Sequence, residues 1–171
     1  MLKFILTFIL ITGLLVVFSV EKASLASEGP LGYWPFDDGS GDIATDKSGN
    51  GHDAKIVDAK WIKAGKFKMA LEFDGKSSYV DIPQSDAMET WEAFTFMAWI
   101  YPTNFLVDWG RIIDCDLQSS GFWTCCRVNG AIDWGFRTQG GGNVVEFTTD
   151  GKMKQGAWTH LAFVWELKGA L

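Results

Sequence analysis

The stretch Phe94-Thr95-Phe96-Met97-Ala98-Trp99-Ile100-Tyr101 decides the fold class of this chain. Apolar residues fill one set of alternate positions, including Phe94, Phe96 and Ile100, and the positions between them are largely apolar as well. A period of two is the spacing of a β-strand, whose successive side chains point to opposite faces. Because both faces are apolar, we expect this strand to be central in a sheet or to line a binding face.

The same two-sided pattern returns at residues 158–165, so we expect these two segments to be the inner strands of a two-sheet sandwich. Shorter strand-length apolar runs lie at residues 31–36, 69–73, 79–82 and 132–136. Dipeptides that accept the positive φ of tight turns separate such runs, namely Asn50-Gly51, Asp74-Gly75, Asn129-Gly130 and Asp150-Gly151. The sequence therefore predicts an all-β fold, built as an antiparallel two-sheet sandwich.

The first 26 residues have the anatomy of a secretory signal peptide. Lys3 precedes an uncharged apolar run over residues 4–20, and small residues follow at Ser24 and Ala26, which fit a signal peptidase site. An uncleaved anchor helix is the alternative, although the run is short for a span of about 20 residues. We expect residues 1–26 to be removed and residues 27–171 to form one secreted or extracytoplasmic domain without a stable membrane span.

The composition excludes nucleic acid as a partner. The chain of 171 residues carries 15 Lys and Arg against 21 Asp and Glu, a formal net charge of −6. Nucleic-acid binding draws on clustered basic residues that neutralise phosphates. Aromatic residues make up 15% of the chain, which is too rich in large apolar groups for a disordered segment.

Three cysteines, Cys115, Cys125 and Cys126, leave at least one thiol unpaired. Cys115 lies on one apolar run and the other two on the next, so a cross-strand disulfide forms only if the register of the two strands brings the sulfurs together. Buried free thiols are the alternative, and the sequence alone leaves both open.

Three stretches together resemble a laminin G-like jelly roll of the concanavalin A-like lectin/glucanase superfamily. They are GYWPFDDGSG at 32–41 with DKSGNGHDA at 46–54, then ALEFDG at 70–75 with YVDIP at 79–83 and FTFMAWIYP at 94–102, and finally GAWTHLAFV at 156–164. The resemblance implies a jelly-roll sandwich and further strands, among them a Tyr-Val-Asp-Gly-like hairpin, that are absent here. We therefore expect a domain that lacks its last strands, with a shorter but complete sandwich as the alternative.

The loop at residues 46–53 is a candidate calcium site. Asp46, Asn50 and Asp53 offer carboxylate and amide oxygens, which calcium prefers, and Asp37 follows the first apolar run. Similar domains often hold calcium near this loop, so the resemblance implies a structural Ca²⁺ on these four residues. The same residue types are ordinary turn formers, which is the alternative.

The sequence predicts no enzyme. Retaining glucanases of the superfamily use a Glu-x-Asp-x-x-Glu strand that places two carboxylates about 5 Å apart. Here Glu72-Phe73-Asp74 and Asp114-Cys115-Asp116 lack the second Glu. With two histidines and no Gly-x-Ser-x-Gly elbow, a nucleophilic triad is not indicated either.

A mixture of Trp, Arg and Asn at residues 108–137 is the candidate ligand site. Aromatic faces accept the C–H faces of sugar rings, and neighbouring polar groups bond the hydroxyls. The candidate residues are Trp109, Trp123, Trp134, Arg127 and Asn129. Trp134 shares a strand face with apolar residues, so a core position is the alternative for it.

These features predict an exported, non-catalytic binding or adhesion module that recognises carbohydrate or an extracellular protein. The alternative is an appended or fragmentary module of a secreted glycoside hydrolase or sialidase.

Overall fold

The computed structural model describes residues 29–85, 93–105, 109–117, 120–137 and 144–166; within these ranges the side chains of residues 116, 117, 120, 137 and 144–147 are not described. The predicted signal peptide lies outside these ranges. Eleven strands and no helix occur in the described part of the chain, which confirms the predicted all-β class. Nowhere in those ranges is there a helix of the length and apolarity that a membrane crossing requires.

The strands follow one another as β1 (Ile43–Ala44), β2 (Ala54–Val57), β3 (Lys60–Ile62), β4 (Ala70–Glu72), β5 (Tyr79–Asp81), β6 (Ala93–Ile100), β7 (Gly110–Leu117), β8 (Ser120–Cys126), β9 (Ala131–Arg137), β10 (Val144–Lys152) and β11 (Thr159–Glu166). They form four antiparallel sheets with the orders β1-β2-β5, β3-β4, β10-β9-β8-β7 and β11-β6.

An aromatic interior joins the β11-β6 sheet to the four-stranded sheet. The Phe94 ring of β6 lies 4.5 Å from Phe122 of β8, measured between centroids. The Phe136 ring of β9 lies 3.9 Å from Trp165 and 5.7 Å from Phe163, both on β11. This layer is the predicted two-sheet sandwich, with the two predicted inner strands paired to each other over residues 93–100 and 159–166.

A smaller apolar core lies under the first strands. Ala44, Ala54, Ile56 and Leu71 are buried there, and Trp34 packs against them. The predicted strand at residues 31–36 is wrong, because these residues form no ladder with another strand. Their polar groups bond elsewhere, since the Tyr33 N–H donates to the Asp46 side chain and the Trp34 indole N–H donates to the His52 carbonyl.

Only Asn129-Gly130 makes the tight hairpin that its sequence predicts. It joins β8 to β9, with Gly130 at φ 80° and the Arg127 N–H bonded to the Ala131 carbonyl at 2.9 Å. Asp150-Gly151 lies inside β10, where the register with β9 shifts, and Asp74-Gly75 connects strands of different sheets. A dipeptide that accepts positive φ therefore marks a bulge or a longer loop as readily as a hairpin.

The register of β7 and β8 resolves the open question about the cysteines. Cys115 stands opposite Phe122, and Cys125 stands opposite Arg111, so no pair of sulfurs faces across the ladder. None of the three sulfurs is bonded to another in the described part of the chain. Burial, together with the nearby Asp133 carboxylate, raises the pKa of the Cys125 thiol to about 11. Such a thiol stays protonated at neutral pH and is a poor nucleophile.

Candidate functional site

The outer face of the four-stranded sheet holds the aromatic part of the candidate site. Trp123 of β8 faces outward and stands opposite Gly135 of β9. A Cβ atom on Gly135 would lie 2.6 Å from Cζ2 of Trp123, so the indole ring lies directly on the backbone of β9. Only glycine leaves room for this contact. The ring is 8% exposed and forms the floor of the site.

Trp109 lies beside Trp123, immediately before β7. The two ring centroids are 6.0 Å apart with the planes at 66°, an edge-to-face arrangement. Trp109 is 46% exposed and has φ 69°. A bulky residue rarely adopts a positive φ, and such strain concentrates at binding sites. The backbone therefore holds a large aromatic ring at the surface in a conformation that packing alone does not favour.

Arg127 stacks on Trp109 and is held there by a buried carboxylate. Its guanidinium carbon lies 4.6 Å from the Trp109 ring centroid. Its Nε donates a short hydrogen bond to Asp133, which is 0% exposed and also accepts from Thr148 Oγ1 at 2.8 Å. A buried carboxylate needs such partners, because leaving it unpaired is costly. Asp133 thus fixes the position of Arg127, and Arg127 supports the Trp109 ring.

A second cation covers Trp123. The Arg111 guanidinium carbon lies 4.8 Å from the Trp123 ring centroid, and its Nε lies 3.3 Å from the Asp114 carboxylate. Sequence reasoning missed Arg111 and Asp133. The signal that identifies them is the cross-strand register, which places Arg111 opposite Cys125 and Cys125 opposite Asp133, so all three share the face of Trp123.

Trp134 and Asn129 do not join this cluster. Trp134 lies on the opposite face of the sheet, inside the sandwich, where its ring centroid is 4.0 Å from that of Phe163. This is the core position that the alternation with Ile132 and Phe136 allowed. Asn129 accepts a hydrogen bond from the Ala131 N–H at 2.9 Å and so closes the β8-β9 turn. Of the five predicted ligand-binding residues, Trp109, Trp123 and Arg127 come together.

In the predicted calcium loop, N–H and O–H groups donate hydrogen bonds to the Asp46 carboxylate. The buried Asp46 carboxylate accepts from the N–H groups of Tyr33, Ser48 and His52 and from the Ser48 hydroxyl, over 2.7 to 3.0 Å. Burial alone would raise the pKa of Asp46, but these hydrogen bonds outweigh it and hold the pKa well below its ordinary value. Four bonds occupy the acceptor capacity of one carboxylate.

The other predicted metal ligands are also engaged. Asp53 accepts from the Asp46 N–H at 2.8 Å, and the Asn50 side-chain amide donates to the Pro30 and Leu31 carbonyls. Asp37 bonds the Met69 N–H and pairs with the Lys68 ammonium at 3.1 Å. Within residues 29–85 and the other described ranges, no three His, Cys, Asp or Glu side chains form a group that could hold a metal ion. The predicted calcium site is untested, and because the Asp46 oxygens already accept four hydrogen bonds, the residues present do not fit a calcium cage.

Two of the carboxylates considered for glucanase chemistry, those of Asp74 and Asp114, have structural partners, and the side chain of Asp116 lies outside the described part of the chain. Asp74 accepts hydrogen bonds from the N–H groups of Lys76, Ser77 and Ser78, and those bonds, led by the Lys76 N–H, lower the pKa of its carboxyl. Glu72 is exposed at the end of β4, and Asp114 pairs with Arg111. Asp74 therefore closes a turn, and none of these groups is arranged as a general acid.

Comparisons with known proteins agree with this architecture. No curated protein matches the chain. The chain is similar in structure to residues 221–444 of an S-layer domain-containing protein from Clostridium thermocellum, with a TM-score of 0.57 at 18% identity, covering 78% of this chain and 67% of that chain. At this identity the likeness shows the fold alone. The laminin G family model of the concanavalin A-like lectin/glucanases superfamily matches residues 74–171, more than half of the chain. The chain therefore belongs to the concanavalin A-like lectin/glucanases superfamily, as its three sequence stretches indicated.

Proposed function

We propose that this chain is an exported, non-catalytic module that binds carbohydrate through Trp109 on the outer face of the four-stranded sheet. Membership of the superfamily fits an extracellular binding module. The observation that carries the finer proposal is the Trp109 ring, which is 46% exposed, held at a positive φ and backed by Arg127.

The chemistry of this cluster suits a sugar ring. An exposed indole face gives dispersion contact with the C–H groups of a pyranose. The guanidinium groups of Arg127 and Arg111 lie beside the two indoles and carry donors for hydroxyl or carboxylate oxygens. Because Asp133 holds Arg127 in place, little side-chain freedom is lost on binding, and such preorganisation favours affinity.

Several observations support a binding role over a catalytic one. The Asp74 carboxylate accepts hydrogen bonds within its turn, and the Asp114 carboxylate pairs with Arg111. Neither is therefore placed to act with a second carboxylate on a glycosidic bond. The apolar leader at residues 1–26 supports export. The structural neighbour bears an S-layer domain in its name, which agrees with a place at the cell surface.

A glycan array followed by affinity measurement tests the proposal. We expect Trp109→Ala to weaken binding to the selected glycan at least tenfold, because the stacking ring is removed. Trp99→Ala is the matched control, since Trp99 is similarly exposed at 41% but lies on the other sheet. Both variants should melt as the parent does. Undiminished glycan binding by a folded Trp109→Ala variant would contradict the proposal.

The alternative partner is an extracellular protein recognised by the same face. A silent glycan array together with a protein captured by the parent chain and lost with Trp109→Ala would favour it. The alternative setting, a module of a secreted glycoside hydrolase or sialidase, is tested by reading the coding sequence downstream of codon 171 for a catalytic domain.

A further inference from the structure

A second surface lies on the outer face of the β11-β6 sheet, away from Trp109. Met97 of β6 is 63% exposed and Val164 of β11 is 68% exposed. The strands are paired so that Met97 stands opposite Ala162 and Trp99 stands opposite His160. Thr95 and Ala162 are the other exposed positions of this stretch, and the Glu166 carboxylate lies beyond it at the end of the same face, opposite Ala93. We call this stretch, together with the loop at residues 63–68, the outer patch.

The loop between β3 and β4 extends the outer patch with an aromatic ring. Phe67 is 79% exposed, and its ring stands edge-on to Trp99 with the centroids 6.0 Å apart. The Lys66 ammonium lies 4.5 Å from the Trp99 ring centroid. Trp99 is itself 41% exposed. The patch therefore presents a protruding aromatic side chain beside an amphipathic indole and a cation.

Positive charge is concentrated at this loop although the whole chain is acidic. Lys66 and Lys68 flank Phe67, Lys63 begins the same loop, and all three are exposed, whereas the formal net charge of the chain is −6. Asp37 pairs with Lys68 at 3.1 Å, whereas Lys66 lies over the Trp99 ring, and within the described ranges neither Lys63 nor Lys66 forms an ion pair. Such a local excess of positive charge attracts an anionic surface.

We propose that the outer patch docks on the surface of an anionic phospholipid bilayer. Lysine ammonium groups attract lipid phosphates, and Trp and Phe partition into the interface between headgroups and acyl chains. Met97 and Val164 offer no hydrogen-bonding group for sugar hydroxyls, and the carboxylate on this sheet face, that of Glu166, lies at its far end opposite Ala93, away from the lysines. This chemistry favours a lipid surface over an acidic polysaccharide.

The expected docking is peripheral and reversible. Each lysine near an anionic surface contributes about 1 kcal/mol, equivalent to about fivefold in affinity. Lysines alone give weak binding, and stable attachment takes a second contribution, which Phe67 and Trp99 supply by entering the interface. Salt should weaken the electrostatic part because it screens exposed charges.

Vesicle binding by the full chain tests the proposal. We expect Lys63→Gln with Lys66→Gln to lower affinity for phosphatidylcholine vesicles containing 30% phosphatidylglycerol by about 25-fold. The matched control, Lys55→Gln with Lys76→Gln, removes the same charge from exposed sites elsewhere and should retain parental affinity. Phe67→Ser should lower affinity for the same vesicles without changing net charge. Equal affinity of both lysine double variants would overturn the proposal.

Hydrogen exchange separates the patch from the apolar leader, which can itself enter vesicles. In the full chain, anionic vesicles should slow amide exchange in peptides covering residues 62–69 and 95–100. Protection confined to residues 1–26 would overturn the proposal, as would protection of the loop by polygalacturonate but not by vesicles. Trp109→Ala should leave this protection unchanged, so failure here is distinguishable from failure of the carbohydrate site.

Discussion

We expect the substitution Asp46→Asn to lower the free energy of unfolding of the N-terminal loop region. The carboxylate accepts four hydrogen bonds, from Tyr33, Ser48 and His52. An Asn side chain keeps one acceptor oxygen for Tyr33 N and Ser48 N but turns an NH₂ group toward the His52 N–H. The Ser48 hydroxyl, which donates to the same oxygen, can accept from the NH₂ group instead, whereas the bond from the His52 N–H is lost and this donor is left unpaired, which together cost about 3 kcal/mol.

Thermal unfolding followed by circular dichroism measures the effect. A loss of about 3 kcal/mol corresponds to a fall in Tm of about 9 °C for a chain of this size. Asp81→Asn, at an exposed position on β5, is the control and should leave Tm within about 1 °C.

The pH dependence adds a second readout. The folded pKa of Asp46 is lowered from its ordinary value of 3.8, so its stabilising effect is present above that value and is lost as pH falls below it. The gap in Tm between parent and Asp46→Asn should therefore be full at pH 7 and narrow below pH of about 4. A gap that is absent at pH 7, or equal at pH 7 and pH 3, would refute the reasoning.

Two further predictions concern the calcium loop and the floor of the aromatic site. A calcium site with a Kd of about 10 µM would add about 2.7 kcal/mol to the free energy of unfolding at 1 mM calcium, or about 8 °C to Tm. Because the Asp46 oxygens already accept hydrogen bonds, we expect calcium to cause no measurable change in Tm. A calcium-dependent rise in Tm that Asp53→Asn abolishes would instead establish the site. Gly135→Ala places a methyl group 2.6 Å from the Trp123 ring and should cost about 1 to 3 kcal/mol and displace Trp109, lowering glycan affinity. Gly151→Ala meets no atom within 4 Å and is its control, so equal melting of the two glycine variants would contradict the assigned contact.

Strand type was predictable from local pattern. The two-sided stretch at residues 94–101 and its counterpart at 158–165 became β6 and β11, because their alternation has a period of two and few residues interrupt it. Residues 31–36 have a similar apolar content but form no ladder. Their hydrogen bonds run instead to the Asp46 side chain and the His52 carbonyl, 13 and 18 positions away, which no local pattern reveals.

The candidate site was predictable in composition but not in geometry. Trp109, Trp123 and Arg127 were identified from their types, whereas Asp133, which fixes Arg127, depends on the register of β8 against β9. Register also decides that Trp134 lies inside and that the cysteines stay apart. A shift of the register by one residue would reverse each of these outcomes.

The pairing of β6 with β11 has a consequence for the order of assembly. Residues 93–100 find their partner only at residues 159–166, the last strand in the described part of the chain. Closing so long an intervening segment is slow compared with forming the adjacent hairpins β7-β8 and β8-β9. We therefore expect the four-stranded sheet to form first, with its aromatic face exposed to solvent until β11 pairs with β6. During that interval the folding chain depends most on a chaperone that prevents aggregation.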